Sequence, residues 1–421
     1  MIRAIINAVR GSTERKVLVE NFFSLSFLQL ADYILPLITL PYLVRVLGLE
    51  RFGLIIFAQA FIQFFVILTD FGFNLSATRE ISLNRDDRDR VSEIFCSVML
   101  VKSALMMVSL AALAGLVFAI PKFRADWPVY LFTSGLVISN VLFPVWFFQG
   151  MEKMKYITLI NILAKLIFVA CIFIFIRNSA DYIYVPLINS LGFIAAGILS
   201  FWIARKHFRF RLYMPGPGPV ISIARESVHF LLSRVSVSIY TTSSVFFLGM
   251  FTSNLMVGYY SAAEKLYLAV QKLYHPLVAA VYPFMAKTRD RVFYKKMFKL
   301  SVLANTLFIA LLFVFSRRVI ILLFGSDFNE SVAVLRIFSA ALFVVVPSIL
   351  LGYPFLAALG RSEYANNSVI IGSIFHLAVL VALTRVCMNI YTVAALVVLT
   401  ESLVLLIRVY GITKYKLWRV R

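Results

Sequence analysis

The chain has 421 residues, 61% of them apolar and only 14% charged, with a mean hydropathy of +0.90. Soluble domains run nearer to half apolar and a quarter charged, so a water-soluble globular fold is excluded and a lipid bilayer is the solvent for most of the chain. The net charge of +21 would point to nucleic acid in a soluble protein, but here the basic residues gather in alternate connections between apolar runs, as in cytoplasmic loops of membrane proteins.

In chain order, apolar runs long enough to cross a hydrocarbon core as helices predict an all-α polytopic membrane protein of twelve spans: 18–43, 53–73, 94–119, 129–149, 157–176, 182–203, 228–250, 259–285, 299–323, 332–356, 367–387 and 391–413. The basic clusters Arg3 to Lys16, Arg79 to Arg90, Lys153 and Lys155, Arg205 to Arg225, Lys287 to Lys299 and Lys414 to Arg421 all fall on one side of that arrangement. Short loops rich in Lys and Arg are retained inside, which places both termini in the cytoplasm. Met1 to Glu20 shows no small-residue cleavage site after an apolar run, so the first span is expected to stay attached.

After the sixth span, Pro215-Gly216-Pro217-Gly218-Pro219 reads as a cytoplasmic linker, because alternating Pro and Gly break a helix. It divides the chain into an N-terminal lobe, 1–214, and a C-terminal lobe, 220–421, of six spans each. An even number of spans brings the second lobe into the membrane in the same orientation as the first, giving parallel halves with a substrate site between them. A short echo supports the repeat: Gly53 to Gln59 opens span 2 as Gly258 to Glu264 opens span 8.

Four spans carry polar residues at helical spacing on one face: Asn21, Gln29 and Asp32 on span 1; Gln59, Gln63, Asp70 and Asn74 on span 2; Ser227, Arg234, Ser238 and Thr241 on span 7; and Glu264 and Gln271 on span 8, with Lys265 and Lys272 beside them. Ionisable groups in a bilayer interior usually face a bundle interior or a wet cavity. Arg234, Lys265 and Lys272 are therefore candidate cavity cations suited to an anionic cargo. Gln29, Gln59, Gln63 and Gln271 are candidate lining residues, and Asp32, Asp70 and Glu264 candidate carriers of a coupling ion. Lys102, Lys165, Arg336 and Glu401 are expected to hold helices together or to snorkel to the interface. Eight prolines, among them Pro347 and Pro354, fall within spans and predict kinks.

Enzyme signatures are weak. Asp87-Arg88-Asp89 spells a DxD metal-nucleotide motif, but lies in a short charged loop best read as a solvated turn. No phosphate-binding GxxxxGK[ST] loop occurs, the four histidines show no metal-ligand spacing, and Cys96, Cys171 and Cys387 sit in apolar runs as small hydrophobes. No cofactor or metal is expected. A glycan polymerase would be expected to carry a large extracytoplasmic loop, which the spans leave no room for.

Leu35 to Gly48 continuing through Phe52-Gly53, then Thr69 to Glu80, Trp146 to Glu152 and Tyr259 to Lys265 resemble, in order along the chain, the conserved blocks of Wzx-type O-antigen flippases. These form the polysaccharide-transporter branch of the multidrug/oligosaccharidyl-lipid/polysaccharide exporter superfamily. The resemblance implies two six-helix lobes in a V around a central cavity in the bacterial inner membrane. It further implies an undecaprenyl-diphosphate-linked oligosaccharide as cargo, moved from the cytoplasmic to the periplasmic leaflet, with a polysaccharide polymerase and a chain-length regulator as companion proteins. Export of multidrug-type cations is the alternative within the same superfamily, and a cationic lumen disfavours it. A scaffold for polysaccharide assembly is a third reading.

Overall fold

The computed structural model describes Leu35, 38–208 and 210–418; for residues 229, 230 and 232–241 it describes the backbone alone. Every regular element among these residues is helical. In chain order they are α1 (Ile38–Leu47), α2 (Leu49–Asp70), α3 (Phe73–Asn84), α4 (Arg88–Ala119), α5 (Trp127–Thr133), α6 (Gly135–Leu142), α7 (Val145–Gly150), α8 (Met154–Phe175) and α9 (Tyr184–Phe208). They continue as α10 (Pro217–Phe251), α11 (Asn254–Lys272), α12 (His275–Thr288), α13 (Arg291–Phe324), α14 (Asn329–Leu351), α15 (Ser362–Val386) and α16 (Ile390–Lys414).

Nine helical stretches among the described residues are long and apolar enough to cross a membrane, and each coincides with one predicted span. Most of the first span lies outside the described residues. The seventh is the helix α10. The eighth is divided into α11 and α12 at Leu273 and Tyr274, where Pro276 sits in the first turn of α12 and needs no backbone donor.

The Pro/Gly segment is more ordered than its composition predicts. Helix α10 already begins at Pro217, so among the described residues the irregular connection comprises 210–216. Proline is tolerated in a helical first turn because its missing N–H would be unpaired there in any case.

The described residues form two compact units. One comprises residues up to Val46 and Phe61–Val235; the other comprises Leu47–Ala60 and Ser236–Arg421. The first is centred on an aromatic cluster in which Phe95, Trp146, Phe147, Phe148 and Phe210 pack against Phe73, Ile81 and Ile94. Phe95 meets Phe210 with ring centroids 4.2 Å apart and Trp146 at 5.4 Å. The second has its own cluster of Met285, Tyr294, Phe355 and Leu356, with Tyr294 stacked on Phe355 at 4.7 Å.

Two sequence features act through the backbone. Gly53 on α2 faces the start of α11, where an added Cβ would stand 1.8 Å from the Asn254 carbonyl oxygen and 2.8 Å from the Gly258 nitrogen. In return, a Cβ on Gly258 would stand 2.6 Å from the Leu49 oxygen. The two glycines heading the sequence echo are thus the ones that let these helices touch backbone to backbone, as small residues do in membrane bundles.

The second feature is Pro354. It lies in a π-helical turn, Gly352–Ala357, that extends α14, and its missing N–H frees the carbonyl one turn earlier. That carbonyl, on Leu350, accepts the Tyr294 hydroxyl at 2.5 Å. Nearby, Arg408 Nη1 donates to the Ser348 carbonyl at 2.6 Å and hydroxyl at 3.0 Å, while its Nε donates to Ser368 Oγ at 3.0 Å. A neighbouring helix, through Tyr294, thus supplies the donor that the kink demands.

Gly53→Ala is expected to lower stability by about 1–3 kcal/mol through overpacking, read as a drop in the thermal midpoint of the purified protein. Gly115→Ala, whose Cβ meets nothing within 4 Å, serves as the neutral control. Tyr294→Phe leaves the Leu350 carbonyl unpaired and is expected to cost about 1–3 kcal/mol in the same assay.

Candidate functional site

Asp70 closes α2, directly before a break at Phe71 and Gly72, both of positive φ (48° and 79°). The break turns the chain into α3 and keeps Asp70 buried, 5% exposed. Its carboxylate accepts the Asn74 amide across the break at 2.5 Å and lies 3.9 Å from Lys102 Nζ. Lys102, 1% exposed on α4, also donates to the Asn140 carbonyl at 3.1 Å. Of the two expectations for Lys102, holding helices together or reaching the interface, the geometry matches the first: its ammonium stays inside, in a pair that joins α2, α4 and α6. Arg336 is exposed, with Nε donating to Ser316 Oγ at 3.1 Å and its guanidinium over the Phe313 ring. Glu401 is buried.

Beside the ion pair lies a cavity of about 240 Å³ lined by Gln63, Val66, Leu136, Ser139, Asn140, Phe143, Val145, Asn161 and Phe193. Its polar groups are three amides and a hydroxyl, neutral donors and acceptors of the kind that suits hydroxylated ligands. The break between α6 and α7 in its wall comes from Phe143 and Pro144: the residue before a proline is pushed extended, Phe143 has φ −98° and ψ 91°, and α6 ends there. Gln63 was legible as a lining residue. Asn140 and Asn161 were not, since each is a lone neutral amide in an apolar run.

The other unit holds the remaining described candidates. Gln59 on α2 and Glu264, Lys265, Gln271 and Lys272 on α11 are all half-buried. Glu264 interacts electrostatically with Lys265, Tyr260 and Tyr267, and Tyr267 also with Glu401. Gln29 and Asp32 lie outside the described residues, and Arg234 falls on α10 where the side chains are not described. Ser227, assigned by spacing to the wet stripe of span 7, is instead fully buried against α3, with its Oγ 2.7 Å from that of Ser76.

Sequence spacing also missed a buried histidine. His376 Nδ1 stands 3.0 Å from Thr400 Oγ1, and Nε2 stands 2.9 Å from Ser244 Oγ. The Thr400 hydroxyl donates to the Leu396 carbonyl, so it accepts from Nδ1–H, while Nε2 pairs with the Ser244 hydroxyl. Both ring nitrogens of His376 are therefore satisfied.

The DxD spelling resolves into a cap. Asp87 Oδ1 accepts from the backbone N–H groups of Asp89 and Arg90 at 3.1 and 3.0 Å, the N-cap geometry that starts a helix. Of the cysteines, Cys96 is buried as expected, whereas Cys387 is exposed at the end of α15 because the helix stops one residue before it. Among the described residues no group of His, Cys, Asp and Glu could hold a metal ion.

The family described as polysaccharide biosynthesis protein matches residues 18–289, well over half of the chain. The chain belongs to that family. Two of its relatives carry the name "Putative O-antigen transporter". The one from Escherichia coli (strain K12) is 29% identical over 340 residues, 79% of this chain and 82% of the relative. The one from Shigella dysenteriae is 28% identical over 268 residues, 64% of this chain and 67% of the relative. Among solved structures, the lipid II flippase MurJ in its inward closed conformation superposes with a TM-score of 0.71 at 12% identity, covering 94% of this chain and 87% of that one. An inward-facing multidrug resistance MATE family transporter of the MOP superfamily gives 0.63 at 14% identity, covering 91% and 95%. This member of the polysaccharide biosynthesis protein family therefore has the fold of MOP-superfamily transporters.

The Asp70–Lys102 pair generates a double-mutant test. Removing one partner leaves an uncompensated buried charge, so Asp70→Asn or Lys102→Met alone is expected to cost about 3–5 kcal/mol and to lower the folded membrane fraction. Asp70→Asn combined with Lys102→Met should recover much of that loss, measured as thermal stability and membrane abundance.

Proposed function

We propose that the chain is a flippase for an undecaprenyl-diphosphate-linked oligosaccharide, moving it from the cytoplasmic to the periplasmic leaflet of a bacterial inner membrane by alternating access. The observation that carries this reading is the family match over residues 18–289, joined by relatives named as O-antigen transporters over most of the chain. The fold of MOP-superfamily transporters agrees with it. In this reading twelve spans form two parallel six-helix lobes, divided near 215–219, with both termini in the cytoplasm. A polysaccharide polymerase and a chain-length regulator act on the product.

Within that scheme Arg234, Lys265 and Lys272 hold the diphosphate, Arg by bidentate contact and Lys as mobile point charges. Gln29, Gln59, Gln63 and Gln271 meet the sugars, and the amide-lined cavity at Asn140 and Asn161 extends that chemistry. Coupling to a cation gradient falls to Asp32 and Glu264, since Asp70 is engaged with Lys102. A bound ion biases a two-state cycle only if it binds one state better than the other.

Deleting the gene in a strain without a redundant flippase should leave lipid-linked repeat units on the cytoplasmic side. Normal surface polysaccharide in that strain would refute the assignment. Lys265→Gln with Lys272→Gln should reduce complementation about tenfold or more, given the worth of charge-assisted hydrogen bonds, at unchanged membrane abundance.

A further inference from the structure

A cavity of about 590 Å³ opens at the ends of three helices in the first unit, lined by Arg88, Tyr156, Trp202, Ile203, Lys206, His207 and Phe208. Arg88 is the first residue of α4, Tyr156 lies in the first turn of α8, and Trp202 to Phe208 form the last two turns of α9. The floor is rigid. Tyr156 packs on Phe148 and Phe208 on Phe147, with centroids 5.6 and 5.0 Å apart, which ties both to the central aromatic cluster. The rim is cationic: Arg88 and Lys206 are exposed, and Lys206 Nζ sits 4.6 Å above the Trp202 ring. Helix stability does not ask for Arg88, because a cation at a helix N-terminus opposes the helix dipole.

Two apolar stripes lead away from this rim into the bilayer. On α8, Leu159, Leu163 and Leu166 follow Tyr156 at spacings of three and four, and are 68%, 47% and 50% exposed. On α9, Leu199 and Leu191 precede Trp202 on one face, 38% and 56% exposed, and Trp202 itself is 54% exposed. Residues at those spacings share a helical face. A basic basin large enough for a phospholipid headgroup, with an exposed tryptophan at the head of two leucine-lined tracks, matches the headgroup and tails of one molecule. Basic pockets between membrane helices bind anionic headgroups on this chemistry.

We infer that this cavity is a binding site for an anionic glycerophospholipid, whose phosphate lies between Arg88 and Lys206 and whose acyl chains run along α8 and α9. The site is independent of the flipping reading, since its residues are not those assigned to the cargo.

The test uses the full chain, purified and examined by native mass spectrometry and in lipid nanodiscs against phosphatidylglycerol, cardiolipin, phosphatidylethanolamine, undecaprenyl diphosphate and inorganic phosphate. Specific retention of phosphatidylglycerol or cardiolipin is expected, weakened about 10- to 30-fold in Arg88→Gln/Lys206→Gln, given the worth of each basic residue toward anionic lipid. Lys206→Gln alone should show part of that loss, and Arg361→Gln, in the other unit, none. Thermal melts of each variant show that the fold is intact. Equal retention by the double variant overturns the inference. So does inorganic phosphate competing as well as the lipid, which makes the basin a soluble-anion site. Undecaprenyl diphosphate held in the cavity and not displaced by phosphatidylglycerol overturns it too, and makes the basin a cargo site.

Discussion

Inside a bilayer there is no water to hydrogen-bond a polar group, and each one left unpaired costs several kcal/mol. Much of what is specific in this protein follows from that constraint. The carbonyl freed by Pro354 is met by Tyr294, the neighbouring Ser348 carbonyl by Arg408, and both nitrogens of His376 by hydroxyls of Ser244 and Thr400. The ammonium of Lys102 is held between the Asp70 carboxylate and the Asn140 carbonyl. Each contact joins different helices, so polar pairing works here as a device for fixing helix packing as much as for chemistry.

The same constraint sorts the ionisable residues. Asp70, Lys102 and Arg408 are buried against partners that account for them, and exchanging such groups during a transport cycle would mean breaking the joints between helices. Glu264, Lys265, Gln271 and Lys272 lie together along α11 and are half-buried. A residue that must meet a passing ligand has to combine protein on one side with access on the other. The α11 stripe has that character, and for this reason it carries the weight of the proposed cargo site.

Sequence motifs acquire structural meanings that their spelling does not disclose. Gly53 and Gly258 permit a backbone-to-backbone crossing. The Asp70-Phe71-Gly72 stretch is a helix break with two consecutive positive φ values, bridged by the Asn74 amide. Asp87, in what reads as a metal-nucleotide motif, is a helix cap. In each case the backbone explains the residue type.

Helix positions and membrane class were legible from the sequence alone, because apolar length is set by bilayer thickness and because nine of the predicted spans match described helices of the required length and hydropathy. Helical spacing also groups polar residues along spans 2 and 8, although in span 2 the break at Phe71 and Gly72 sets Asn74 on a different helix from Asp70. Spacing cannot say what a face meets, and so Ser227, read as wet, proved to be packed against Ser76, and the choice for Lys102 between holding helices and snorkelling fell to its pairing with Asp70. The start of α10 inside the Pro/Gly run, the cavity at Asn140 and Asn161, the satisfied His376 and the basic basin at Arg88 and Lys206 were decided only by tertiary structure. Each depends on groups from helices far apart in sequence, or on a proline's position within a helical turn, and a one-dimensional pattern carries no distance between such groups.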